Sequence, residues 1–450
     1  MYTRVKLFAA VLFTLSVLPA FNKPKHVVNK QAEISTVIAK RAVDFLNSIG
    51  ANSAISTRSE TLEKTTQAIN YTGIRWLRTG YEGDIPVQDL VTLHNNCGVK
   101  FSYGLLSGGT DIPRLLAGGR QLAASNCLLA FEGPNEPNNW GITYKGESGG
   151  KNVSWLPVAR LQHDLYTSVK ADDILKSYPV FSLSENGAET DNAGLQYLAI
   201  PGNAHCLMPA GTRFADYANC HNYITHPSWK GLHDNQTWIA ASPGADTRVD
   251  GLYGNYGKTW GKKFAGYSDN ALQNLPRVTT ETGLTIGDGV TEEEHARLLV
   301  NMYLAQFARG WSYTAVYLLR DRSDEQGNQQ FGFYTKDYKA RKAAVYLHNL
   351  TTILADNAAI KNAGSLQYAI PAQPSTVHDL LLQKSNGSYA LIVWGERLNG
   401  SDDVQIKFGN NQDQINVYDI TKGVTPVQQL HNARQVTLVI TNSAYIIEIK

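Results

Sequence analysis

Between about residues 38 and 355 the chain alternates short apolar runs with longer stretches in which apolar residues recur every three or four positions, the pattern of βα units around a parallel sheet. The strand candidates are SIGANSAI (48–55), GIRWLR (73–78), VKFSYGLL (99–106), CLLAFEG (127–133), YPVFSLS (178–184), FADYANCHNY (214–223), RVTTE (277–281) and SYTAVYLL (312–319). Several are nearly continuous in apolar or small residues, as strands buried on both faces require. The helices carry their own punctuation. TEEEHARLLVNMYLAQFARG opens with a capping box, Thr291 to Glu294, sets Leu298, Leu299, Met302 and Tyr303 at helical spacing, and has Gly310 where a C-cap glycine belongs. KDYKARKAAVYLHNLTTIL, after the last strand, is a further amphipathic helix. The pattern predicts an α/β fold, a (β/α)8 or TIM barrel, over residues 38–355.

Helical periodicity disappears after about residue 356. Short strands separated by Asn, Gly and Asp turns take over: HDLLLQK, SYALIVWGE, VQIKFG, INVYDI, QVTLVI and AYIIEIK, with Asn-Gly at 386–387 and 399–400 marking tight turns. Residues 356–450 are therefore expected to form a C-terminal antiparallel β-sandwich. The extended N-terminal segment, 21–37, is expected to add a strand to it from residues 25–37. Residues 1–20, a basic head followed by LFAAVLFTLSVLPA, match a secretory signal peptide, with the mature chain starting near Phe21 and the protein secreted or periplasmic. That run is marginal for a bilayer of ~30 Å, and no later segment is long and apolar enough, so no stable membrane insertion is expected after signal removal.

With 41 basic and 39 acidic residues the balance is +2, which gives no support to a nucleic acid or anionic membrane partner. Four cysteines in an exported chain make disulfides plausible. Three connectivities are possible, of which the local pairs Cys97–Cys127 and Cys206–Cys220 are preferred. No CxxC spacing supports zinc or thiol redox chemistry, and neither a metal nor another cofactor is expected. Aromatic residues make up 10%, which suits stacking against sugar faces and equally suits an aromatic core.

The candidate chemistry sits at strand ends. In LLAFEGPNEPNNWG an apolar strand runs into Gly133-Pro134-Asn135-Glu136-Pro137, so Glu136 lies in a rigid turn at the C-terminal mouth, where barrel enzymes keep their sites. RVTTETG repeats the arrangement with Glu281 at the end of the seventh strand candidate. Two carboxyls facing each other across a barrel mouth are what glycosidic hydrolysis needs, one to protonate the leaving oxygen and one to attack the anomeric carbon.

With Asn135-Glu136-Pro137 after strand four and Glu281 after strand seven, the chain resembles clan A of the retaining glycoside hydrolases, most closely its family 39 and family 5 types, which often append a β-sandwich. The resemblance implies that Glu136 is the acid/base and Glu281 the nucleophile. It implies that Arg78, closing strand two, keeps Glu281 ionised, and that Asn135 bonds the sugar 2-hydroxyl. His221 and Tyr223 resemble the His-x-Tyr of strand six, where Tyr223 bonds the nucleophile and His221 lines the subsite, although a satisfied core histidine is nearly as good a reading. Tyr317-Leu318-Leu319-Arg320-Asp321 departs from the tryptophan many clan members carry on strand eight. Tyr317 is the candidate replacement platform, and Arg320 and Asp321 are a candidate polar pair at the rim. Trp140 is a candidate sugar platform and equally a packing residue under its loop.

This reading expects a protonated Glu136, raised by the charge of Glu281, and double displacement on a β-glycosidic bond of an oligo- or polysaccharide by a monomer. A polysaccharide-binding barrel without turnover and a transglycosylase using the same residues are the alternatives. Gly146-Glu147-Ser148-Gly149-Gly150 fits the G-x-S-x-G pattern, but its flanks lack the strand and helix of a nucleophile elbow. Substrate choice is expected to depend on the long stretch 224–276.

Overall fold

The structure is a computed structural model that describes residues 33–81, 84–137, 139–150, 153–184, 212–225, 231–242, 275–287, 289–324 and 330–450. The expected signal peptide, most of the 21–37 segment, most of the 224–276 stretch and Cys206 lie outside the described residues. Among the described residues no helix is long and apolar enough to cross a membrane.

The chain enters through two short strands, β1 (Ser35–Ile38) and β2 (Lys40–Arg41), then forms helix α1 (Ala42–Ser48) and the first barrel strand, β3 (Ile49–Asn52). β4 (Trp76–Gly80), β5 (Lys100–Gly104) and β6 (Leu128–Glu132) follow. An excursion then carries the hairpin β7 (Ile142–Tyr144) and β8 (Glu147–Gly149). The barrel resumes with β9 (Val180–Phe181), β10 (Ala218–His221), β11 (Arg277–Thr282) and β12 (Trp311–Val316). These eight strands pair in parallel in the order β10-β11-β12-β3-β4-β5-β6-β9, and the circle closes through a bridge from Phe181 to Tyr217. Each overlaps one of the runs read as a strand. Ser148 of the G-x-S-x-G pattern lies in the β7–β8 hairpin, which is no nucleophile elbow.

Local chemistry sets the helix ends. Thr61 caps α2 (Leu62–Thr72) by accepting from the Lys64 amide, and Gly73 ends it at φ +72°. α3 (Val87–Cys97), α4 (Ile112–Ala124), capped by Asp111, α5 (Leu156–Ala171) and the short α6 (Gln236–Ala240) come next. α7 (Glu292–Ala308) opens with the capping box between Thr291 and Glu294, and α8 (Lys342–Ile353) follows the last barrel strand. The expected Cys97–Cys127 disulfide is not formed. Cys97 ends α3 and donates its thiol to the Leu93 carbonyl (3.0 Å), whereas Cys127 leads into β6 and donates to Leu122 (3.3 Å).

The lower barrel is filled by rings. Trp76 and Tyr313 meet edge to face at 5.8 Å, and Phe181 contacts Tyr217 at 5.3 Å and Tyr313 at 5.9 Å. Gly50 is required beside them, because a Cβ there would stand 2.2 Å from the Trp76 indole. These rings pack the lower barrel beneath the polar residues of the C-terminal mouth.

The second domain contains β13 (Ser365–Ala369), β14 (Val377–Gln383), β15 (Tyr389–Gly395), β16 (Asp402–Asp419), β17 (Gln428–Ile440) and β18 (Ala444–Ile449). It is a single hydrogen-bonded sheet, joined by β1 and β2, and every pairing is antiparallel except that of β14 with β2. The long β16 and β17 pass an irregularity between Lys407 and Gln412, across which the buried phase changes from Val404, Ile406 and Phe408 to Ile415 and Val417. All five share one core with Leu391, Val393 and Ile447. The opposite face, with Leu380, Ile392, Trp394 and Ile446, belongs to the core of the barrel.

Polar groups fasten the same seam. Asn301 donates to the Gly395 carbonyl (3.2 Å) and Asn349 to that of Ile420 (2.8 Å). The buried Glu396 accepts from the amides of Thr237 (2.9 Å) and Trp238 (3.0 Å), the Thr237 hydroxyl and the Trp394 indole (3.0 Å). It thereby caps α6, which follows strand six, from the second domain. Replacing Glu396 with alanine leaves these donors without an acceptor and is expected to cost about 3 kcal/mol, read as a lower urea midpoint; an unchanged midpoint contradicts the clamp. His378, stacked on Trp238 at 4.0 Å, is pushed down to about 4 by burial and the nearby Arg309 charge. A histidine depressed in the folded state contributes stability above its unfolded value near 6.5 and loses it as pH falls. Melting temperature is therefore expected to drop between pH 6.5 and 4, and less so in His378→Gln.

Candidate active site

Above the aromatic floor the barrel holds a polar layer centred on Arg78. Its guanidinium, 4% exposed, donates to both oxygens of Glu132 (2.7–3.0 Å), to Asn135 Oδ1 (2.6 Å) and to Glu281. Glu132 closes β6 with no exposed surface, and Ser102 and Thr280 also donate to it, at 3.1 and 2.9 Å. Asn219 donates to Thr280 Oγ1 at 2.9 Å. A carboxylate buried this deeply is tolerable only because a cation and several hydroxyl and amide donors surround it.

The turn after β6 aims Glu136. Asn135 donates its amide to Leu105 (2.9 Å), Glu136 to Ser184 (3.0 Å), and the Glu136 carbonyl accepts from Asn139 (2.8 Å) and Trp140 (2.7 Å). These bonds hold Glu136 at φ +39°, a left-handed conformation that a residue with a side chain adopts only when its surroundings over-determine it. One carboxyl oxygen lies 2.6 Å from His221 Nδ1 and the other accepts from the Asn139 side chain at 2.8 Å. Burial pushes this carboxyl up, but the bond and charge of His221, the Asn139 bond and the Arg78 charge outweigh it, and the group sits below its ordinary range. This is the reverse of the expected rise caused by Glu281, because His221 and Asn139 bond the carboxyl directly.

Glu281 reaches the mouth because β11 is irregular. Its pairing with β12 shifts between Thr279 and Thr282, so the consecutive residues Thr280 and Glu281 both serve the barrel interior. Glu281 receives Arg78 on one oxygen and the Tyr223 hydroxyl on the other (2.8 Å), with His221 Nδ1 at 3.5 Å. Burial, Glu281 and Glu136 push the Tyr223 phenol well above its ordinary value, which keeps its proton available for that bond. Tyr223 and Tyr317 each stand edge-on to Phe331, at 6.0 and 5.8 Å, so three rings gather on the Glu281 side.

One carboxylate oxygen from each glutamate and a His221 nitrogen lie within 4.8 Å of one another. The cluster has metal-ligand chemistry, but Arg78 already places a cation on Glu281 and the Glu136 oxygens face His221 and Asn139, so a second cation would be opposed. The remaining sequence candidates are placed differently. Trp140 is 55% exposed on the turn beside Glu136, open to a ligand rather than packed under its loop. Arg320 and Asp321 are not a rim pair. Arg320 donates to the Lys336 carbonyl (2.7 Å), and Asp321 accepts from the Gly332 amide (2.7 Å) and pairs with Arg341 (2.6 Å), so both brace the 330–341 loop.

Reasoning from the sequence missed Glu132, Asn139, Asn219, Thr280 and Phe331. Glu132 had a signal, because a charge at the end of an otherwise apolar buried strand needs a partner.

No family model matches the sequence, and no curated protein is similar to it. Solved structures are similar in fold. A family 39 glycoside hydrolase from the gut symbiont Bacteroides cellulosilyticus WH2 superposes with a TM-score of 0.57 at 13% identity, over 92% of this chain and 83% of that one. CelM2, a bifunctional glucanase-xylanase from a metagenome library, gives 0.56 at 11% identity over 93% and 99%. The GH51 arabinofuranosidase from Xanthomonas axonopodis pv. citri gives 0.53 at 10% over 93% and 100%. The chain has the fold of these glycoside hydrolases: a barrel joined to a β-rich domain.

The charge balance at Arg78 is testable without any substrate. Arg78→Met leaves Glu132 buried without its cation and is expected to cost about 3–5 kcal/mol in chemical denaturation. Adding Glu132→Gln should recover much of that loss. A double variant no more stable than Arg78→Met alone contradicts the pairing.

Proposed function

We propose that the protein is a secreted retaining glycoside hydrolase that cleaves β-glycosidic bonds of an oligo- or polysaccharide, with Glu136 as acid/base and Glu281 as nucleophile. The observation that carries this reading is the geometry of the pair: carboxylate oxygens within 4.8 Å, on opposed strands of one mouth. Retention brings the two carboxyls to about 5–5.5 Å, whereas inversion needs about 6.5–9.5 Å to admit a water. The fold shared with glycoside hydrolases supports the same class. A glucanase-xylanase and an arabinofuranosidase both have this fold, so the sugar here is left to experiment.

The two glutamates are prepared for different tasks. Glu281 accepts from Arg78 on one oxygen and from Tyr223 on the other, which aims and holds the carboxylate that acts as nucleophile. Glu136 lies against His221, a group that can give and take a proton. Glu281 attacks the anomeric carbon as Glu136 protonates the departing oxygen. Glu136 then removes a proton from water, which displaces the sugar from Glu281. Asn135, held by Arg78, faces the sugar beside the reacting carbon, and the exposed Trp140 suits the leaving side.

The test is turnover on a panel of bacterial exopolysaccharides and plant β-glycans, with product sizing and NMR of the first-formed anomer. Glu281→Ala is expected to abolish turnover. Glu136→Ala should reduce it by about 10²–10⁴-fold, and less on aryl glycosides whose leaving group needs no proton. Wild-type turnover in either variant, or a first product of inverted configuration, overturns the assignment. A chain that binds glycans without turning them over is the non-catalytic barrel.

A further inference from the structure

Two side chains, Thr280 and His221, link the buried Glu132 to Glu136. Thr280 Oγ1 donates to Glu132 Oε1 (2.9 Å), and the same oxygen lies 3.1 Å from His221 Nε2, whose Nδ1 is 2.6 Å from Glu136 Oε1. A threonine hydroxyl has one proton and two lone pairs. A carboxylate bonded three times by Arg78 is the stronger acceptor for that proton, and Asn219 Oδ1, at 3.2 Å, is the weaker one. With its proton committed to Glu132, Thr280 can only accept from His221, so Nε2 carries a hydrogen. The Nδ1 lone pair is then directed at Glu136, and one proton occupies the 2.6 Å gap between them.

We infer that Glu132 and Thr280 are positioning residues for the acid/base: they hold His221 in its Nε2–H form, so that Nδ1 and Glu136 share the proton delivered to the leaving oxygen. The inference rests on the proposed glycosidase reading for its kinetic arm. In the other tautomer Nδ1–H would merely solvate the Glu136 carboxylate and Nε2 would be left without a donor to accept from. The groups around His221 are Glu136 from the β6 turn, Glu281 at 3.5 Å from β11, Glu132 through Thr280, and Arg78 and Tyr223 through Glu281. Glu132 thus acts on the imidazole through the threonine hydroxyl, by fixing which ring nitrogen carries the hydrogen. No bond to carbon is involved: the proton moves between Nδ1, Glu136 Oε1 and the leaving oxygen, and Nε2–H stays in place throughout.

The experiment has two arms on the full chain. In the first, long-range ¹H–¹⁵N correlation on ¹⁵N-histidine-labelled protein reads the His221 ring, assigned by its loss in His221→Gln. A protonated Nε2 in wild type is expected, with the signal pattern altered in Thr280→Val and restored in Thr280→Ser. In the second, the pH dependence of kcat/KM is measured for the same variants. Thr280→Val should move the alkaline limb to lower pH by about one pH unit with KM little changed, and Thr280→Ser should keep the wild-type profile. A neutral Nδ1–H ring in wild type overturns the inference whether or not the protein has activity. So does a Thr280→Val profile lowered equally at every pH, which is what a purely structural role produces. Should wild type turn over no glycan, the glycosidase reading falls and the NMR arm still decides the relay.

Discussion

One guanidinium serves two carboxylates that could not otherwise share the same barrel. Arg78 stands between Glu132, sealed beneath it, and Glu281, at the mouth, and also fixes Asn135 beside Glu136. A single buried cation therefore pairs with a sealed carboxylate below and with the candidate nucleophile above. Its geometry suits arginine specifically, because a planar fork reaches three partners where an ammonium would present one point charge. The register of β4 against β3 and β5 places it there, one layer above the Trp76 ring that closes the floor.

The rest of the architecture holds that layer still. The second domain is fused to the barrel by an apolar face and by Glu396, whose cap on α6 fixes the segment following strand six. Within that segment Gln236 donates to the Ile224 carbonyl (2.6 Å), and Asn222 donates to that of Ala240 (2.9 Å). Both residues flanking Tyr223 are thus tied to the helix that the second domain caps, and Tyr223 in turn bonds Glu281. The β-rich domain accordingly supports the candidate site through the strand-six loop, in addition to sheltering the flank of the barrel.

How much was legible in the sequence follows from how local each determinant is. The barrel strands were readable because apolar runs end at polar punctuation, and Glu136 and Glu281 stood out as carboxylates placed just past such runs. Arg78 and Tyr223 followed from the resemblance at the ends of strands two and six. Glu132 was hidden because it lies inside CLLAFEG, where its partners come from strands two, three and seven and no spacing within the run announces them. Thr280 was hidden by the irregularity in β11, which lets consecutive residues face inward. Arg320 and Asp321 were misplaced for a related reason: past Val316 the backbone leaves the strand, pairs with Tyr334, and turns both side chains to the 330–341 loop. The single folded sheet of the second domain was signalled by the change of apolar phase between Phe408 and Ile415, which a search for separate strands passes over.

The central claim is that Glu281, bonded by Arg78 and Tyr223, forms a covalent bond to sugar. Incubation with a 2-deoxy-2-fluoro glycoside matched to the preferred substrate, followed by intact-mass measurement and peptide mapping, tests it directly. The account predicts a single glycosyl adduct on the peptide containing Glu281, absent in Glu281→Gln. An adduct on another residue, or full turnover of the substrate with an inverted product and no adduct, would contradict it.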